Sequence, residues 1–195
     1  MRQGSLGSWA PFLDYDVSQY PTPPILARKM VDWADVWPGE AVVEPSAGGG
    51  NIVRELLRAR ADVTAIEVDP RWAELLVEQW PSLRVVVGDF FDVMPRPVDL
   101  VVSNPPLNAG QGPAHVRRML DWAPRVVSLL RLADLAGRAH YEQLWSECDL
   151  ARLAVLAHRP VFVGQGGKTD FCVVDVRRAG AYHGPQRVEH WIERW

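Results

Sequence analysis

Cysteine is almost missing. Cys148 and Cys172 are the only two in 195 residues, and their spacing matches no metal-ligand pattern. No disulfide framework is expected, and the pair suits a reducing interior. No apolar run reaches the length of a membrane span, and Arg131 interrupts the best candidate, VVSLLRLADLA. The opening residues MRQGSLGSWAPFL lack the apolar core of an export signal. A cytoplasmic protein with no membrane partner is therefore expected. Nothing repeats at a fixed period, and there is no low-complexity segment. A surplus of basic charge is missing too: the net charge of −3 argues against a general nucleic-acid binder. The charge is nonetheless unevenly divided. Residues 1–111 carry 9 Lys and Arg against 15 Asp and Glu, and residues 112–195 carry 12 against 9. The second half is the one suited to face phosphates, with Arg117, Arg118 and Arg125 either part of that surface or a solvated helix face.

What is present is an ordinary globular composition, 48% hydrophobic and 23% charged, in a length that fits one domain. The segment YPTPPILARKMVDWADVW has a cap-like Thr22, prolines in a first turn, and Leu26, Met30, Trp33 and Trp37 at helical spacing. Strands follow at AVVEP, DVTAIEVDP, LRVVVGDFFD and VDLVV, with helices between the first three; Asp69 caps and Pro70 starts the helix RWAELLVEQW. This alternation predicts βαβ units and a parallel sheet. Downstream come a helix near 113–123, the strand RVVSLL, a helix near 138–147, and the strands ARLAVLA and FCVVDV. RVEHWIERW puts Val188, Trp191, Ile192 and Trp195 on one helical stripe, which would dock on the core or form a dimer contact. The expected architecture is a doubly wound α/β three-layer sandwich of about seven strands. It has an irregular segment at 1–19, the main domain at 20–178, and a tail with a short helix at 179–195.

Three successive strand ends carry chemistry. VVEPSAGGGNI ends a strand on an acid, turns through Ser46, Ala47 and three glycines, and enters a helix; glycines there let a ligand approach the backbone amides. Val53 breaks the G-x-G-x-x-G dinucleotide pattern and favours a ligand without phosphates. Glu67, 17 residues beyond Gly50, is placed to accept both hydroxyls of a ribose. Asp89 is placed to accept from an exocyclic amine, with Phe90 as an apolar wall. Together these describe a nucleoside pocket. GQGGKT imitates a phosphate loop, but Phe162 stands where the first glycine is required, and a strand follows. VDLVVSNPPLNAG then stops a fourth strand on Asn104, since Pro105 and Pro106 cannot continue the ladder.

In that order EPSAGGG, IEVDP, VVGDFF and NPPL resemble the S-adenosylmethionine-dependent N6-adenine methyltransferases. LLRLADLAG and RPVFVGQGGKTDF look like the small phage and prophage DNA adenine enzymes. The resemblance spans roughly residues 20–178. It implies a Rossmann-like class I methyltransferase fold, a seven-stranded, mostly parallel sheet with its last strand antiparallel. It also implies S-adenosyl-L-methionine as cofactor, no metal, and DNA as first partner with RNA as second. Glu44, Ser46, Ala47, Gly48 and Gly50 would cradle the methionine part, Thr22 would close over it, Glu67 would hold the ribose, and Asp89 with Phe90 the adenine. Asn104, Pro105, Pro106 and Leu107 fall on the family's catalytic tetrapeptide. Leu107 stands where the family carries an aromatic, and Phe162 is the candidate to supply a ring face to the substrate instead. Two other readings use the same residues: an acceptor amine in RNA adenine or protein glutamine, and a cofactor-binding protein without turnover.

Overall fold

A computed structural model describes residues 21–108, 110–162 and 169–195. The expected irregular segment at 1–19 and most of the GQGGKT loop lie outside the described residues. The chain runs α1 (Pro24–Trp33), β1 (Ala41–Glu44), α2 (Asn51–Arg58), β2 (Asp62–Glu67), α3 (Pro70–Gln79), β3 (Arg84–Val87), β4 (Leu100–Ser103), α4 (Gln111–Met119) and β5 (Arg125–Arg131). Short helical turns at Leu132–Leu135, Arg138–His140 and Tyr141–Trp145 replace the longer helix expected near 138–147. The chain closes with β6 (Cys148–Leu156), β7 (Phe171–Arg178) and β8 (Arg187–Trp191).

The strands form one sheet in the order β3-β2-β1-β4-β5-β7-β6-β8. β1 to β5 pair in parallel, β7 runs antiparallel to β5 and β6, and β8 lies parallel to β6. Successive residues point to opposite faces. Val42, Leu100, Val102, Val127 and Leu129 pack with α1 and α2. Val43, Val101, Val126 and Leu130 pack with Val116 and Met119 of α4. Both faces are thus covered, which is why these strands read as continuous apolar runs. Strand order reverses between β1 and β4, opening a crevice at their C-terminal ends.

Three expectations are corrected. Thr22 does not cap α1: Pro23 occupies that position with no side-chain bond, and Trp37 lies beyond the helix, exposed. The sheet has eight strands, because the C-terminal stretch is a strand and not a helix. Val188 and Ile192 are 64% and 75% exposed, so the apparent helical stripe buries little. What decides is the open edge of β6, whose residues Arg152 to Leu156 pair with Arg187 to Trp191. Trp191 alone of that strand is buried, edge-on to Trp33 at 5.4 Å, and Glu189 accepts from the Trp33 indole. Of the stripe only Trp191 and Trp195 dock on the protein's own core, and the tail adds a strand to the main sheet.

Candidate nucleoside-binding and methyl-transfer site

The crevice at the β1/β4 reversal holds a cavity of about 280 Å³. Glu44 ends β1 in its wall and is 1% exposed. Its Oε1 accepts from the Ser46 amide at 3.0 Å and the Ser103 hydroxyl at 2.8 Å, while Oε2 is buried with no partner among the described residues. Burial, which these hydrogen bonds only partly offset, raises the Glu44 pKa to about 8. After it, Ser46, Ala47, Gly48 and Gly49 line the floor. Gly48 adopts φ +47 and donates its amide to Glu67 Oε2 at 2.6 Å. A side chain at 48 would be strained in this left-handed backbone.

Glu67 ends β2 in the same wall. Its Oε1 accepts from the Asp69 amide at 2.8 Å, so backbone donors hold both oxygens in place. Burial pushes its pKa up as well. At the end of β3, Asp89 accepts from the Phe91 amide at 2.8 Å, and Phe90, buried against Trp122, lines the cavity. From β4 come Asn104, Pro105, Pro106 and Leu107, all on the cavity wall. Asn104 Nδ2 donates to Thr22 Oγ1 at 3.1 Å, which turns the amide oxygen to the other side. The Thr22 carbonyl accepts from Asn51 Nδ2 at 2.8 Å. The segment before α1 is thereby tied both to the glycine turn's helix and to the tetrapeptide that ends β4.

Similarity to known proteins bears on what this cavity is. No family model matches the chain. It is 41% identical over 99 residues to an rRNA methyltransferase of Streptomyces thermotolerans, a match covering 49% of this chain and 31% of that protein. It is 32% identical over 179 residues to ribosomal RNA small subunit methyltransferase A of Phenylobacterium zucineum, covering 87% of this chain and 59% of the relative. The chain thus spans less than two thirds of either relative. A solved dimethyladenosine transferase from Plasmodium falciparum superposes with a TM-score of 0.61 at 18% identity, over 82% of this chain and 63% of that one. The fold is the class I methyltransferase fold.

S-adenosylmethionine is the expected cofactor of this class I methyltransferase fold, and the residues present fit it. A buried acid with one oxygen unpartnered suits a cationic ammonium, and a carboxylate fixed by two amides suits a vicinal diol. Two sequence-derived site residues lie elsewhere. Gly50 is not in the cavity wall: it starts α2 at φ +78, and a Cβ there would lie 2.7 Å from both Leu76 and Trp80 of the α3 region. Its lack of a side chain serves helix packing. Phe162 is 5% exposed and packs edge-on to Phe171 at 5.3 Å in the core, away from the cavity lining. The basic second half is largely paired: Arg125 and Arg152 converge on buried Asp175, and Arg117 and Arg118 meet Asp121. Trp72, Gln111, Phe91 and His115 line the cavity and were not singled out from sequence. A signal existed for Trp72, an apolar residue in the helical turn just after Asp69. For His115 the signal was its place one turn after Gln111.

Proposed function

We propose that this chain is an S-adenosylmethionine-dependent methyltransferase acting on the exocyclic N6 amine of adenine, with RNA as the acceptor. The observation that carries the reading is that the tetrapeptide from Asn104 to Leu107 lines the same cavity as Glu44, Glu67 and Asp89, its amide oriented by Thr22. RNA is favoured because the relatives of this chain are described as rRNA methyltransferases. DNA is the second reading, supported by the Asn-Pro-Pro-Leu tetrapeptide itself.

The bound cofactor supplies an electrophilic methyl on a sulfonium. An adenine amine is a poor nucleophile, its lone pair being delocalised into the ring. Asn104 Oδ1 and the Pro105 carbonyl each accept one amine hydrogen and pull the nitrogen toward tetrahedral geometry. The prolines hold these acceptors in place before reaction, so little reorganisation accompanies the step. Leu107, half-buried between both core clusters, offers the base apolar contact but no ring. Methyl-labelled cofactor incubated with RNA, DNA and protein fractions tests the reading. Label in RNA adenine is expected; label only in DNA moves the acceptor, label only in protein moves it to glutamine amide, and bound cofactor with no transfer makes the chain a binding protein.

A further inference from the structure

His115 lines the cavity, and the chemistry above does not use it. Its Nδ1 lies 2.8 Å from the Gln111 carbonyl oxygen. A carbonyl only accepts, so Nδ1 carries the hydrogen and, in the neutral ring, Nε2 keeps its lone pair. Burial lowers the His115 pKa more than the Gln111 bond and the Asp89 charge raise it, so the ring is neutral at pH 7. Phe90 stacks on the imidazole at 6.2 Å and 20°, and Phe91 meets it edge-on at 4.7 Å. At 7% exposure the ring is held in one orientation. Nε2 is therefore a fixed acceptor, and it has no partner among the described residues.

Asp89, at the same end of the cavity, is a second acceptor. The edge of adenine carries one strong donor group, the 6-amino group, and it has two hydrogens. Two acceptors match two hydrogens, whereas a 6-oxo purine would set an oxygen against both. We propose that His115 is a specificity residue for the base of the cofactor, its Nε2 accepting one 6-amino hydrogen while Asp89 accepts the other. This rests on the S-adenosylmethionine reading above.

S-adenosylhomocysteine and its deaminated form, S-inosylhomocysteine, are the probes, titrated calorimetrically into the full chain. Wild type should prefer the adenosyl compound. His115→Leu should shrink that preference by about three- to tenfold, the worth of one neutral hydrogen bond, with inosyl affinity little changed. Equal losses for both compounds would make His115 a packing residue and overturn the proposal. If His115→Leu does not fold, nitrogen-15 NMR of wild type decides. A neutral Nδ1–H ring whose Nε2 resonance moves with the adenosyl and not the inosyl compound supports the assignment; a protonated or unmoved Nε2 overturns it. Wild type that binds neither compound overturns the cofactor reading, and this proposal with it.

Discussion

The two sides of the cavity solve the binding problem with different chemistry. On the β1 and β2 side the polar groups are carboxylates, Glu44 and Glu67, buried and held by backbone amides or Ser103. On the β4 side they are an amide and a prolyl carbonyl, neutral at every pH. Charge suits a ligand that carries an ammonium and hydroxyls of its own. A neutral acceptor suits an amine that must stay unprotonated to attack. The contrast teaches that mutations on one side should change affinity for the cofactor, and on the other the rate.

Asn104→Ala should break the rate side outright. Removing one preorganised polar group at a reacting centre costs about 3 to 4 kcal/mol, a loss of roughly a hundredfold to a thousandfold in kcat. Cofactor affinity by calorimetry should stay near wild type; a folded variant with wild-type turnover rules the mechanism out. Glu67→Ala is the counterpart on the affinity side. Two hydrogen bonds to a charged group suggest about 3 kcal/mol, near a hundredfold in Kd. Wild-type affinity in that variant removes Glu67 from the site.

pH sharpens the same contrast more gently. Glu44 has a folded pKa of about 8, so at pH 7 it is mostly protonated in the free protein. A bound ammonium favours the carboxylate, so S-adenosylhomocysteine binding at pH 7 should release a proton. Affinity should rise between pH 6 and 8 by at most about tenfold per unit. Because the folded pKa lies above the ordinary 4.5, the contribution of Glu44 to stability is fully present below 4.5 and is lost as pH rises through about 8. The melting temperature of the free protein should fall over that window. A Glu44→Gln protein with an unchanged pH slope contradicts this. The smallest effect is expected for Leu107→Tyr. A ring for the base to stack on is worth about 1 to 3 kcal/mol where space allows, but Leu107 already packs on both core clusters. A gain of about threefold in kcat/KM on an adenine strand is expected, and a folded, cofactor-binding variant that loses activity points to a smaller acceptor.

Much of this was legible in the sequence, because each parallel strand ends on its own punctuation. Glu44 before a glycine turn, Glu67 before Asp69 and Pro70, and Asn104 before two prolines mark strand ends whatever the surroundings. The misreadings share one physical cause, that short local patterns cannot see tertiary partners. Gly50 lies only two residues from Gly48, yet it faces α3. Phe162 was assigned to the substrate by its loop, and Phe171 claimed it for the core. Val188, Trp191, Ile192 and Trp195 fit a helix as spacing, but the unpaired edge of β6 outweighed that preference. For His115 the spacing from Gln111 marks only a shared helix face; its contacts with Phe90 and Phe91, which follow β3, are tertiary and invisible to that spacing.

The Ser103 hydroxyl bond to Glu44 joins the two sides through a single residue. Ser103 immediately precedes Asn104, so the strand end that presents this amide is also tied to the buried acid at the end of β1. When Glu44 ionises, the bond it accepts from Ser103 becomes charge-assisted and stronger, stiffening the strand end that presents Asn104. A ligand that ionises Glu44 would thereby be felt at Asn104 through this bond. By reciprocity an acceptor seated at Asn104 would tighten the hold on a ligand at Glu44 by the same factor, so Ser103→Ala should uncouple the two affinities while leaving each site's own groups in place.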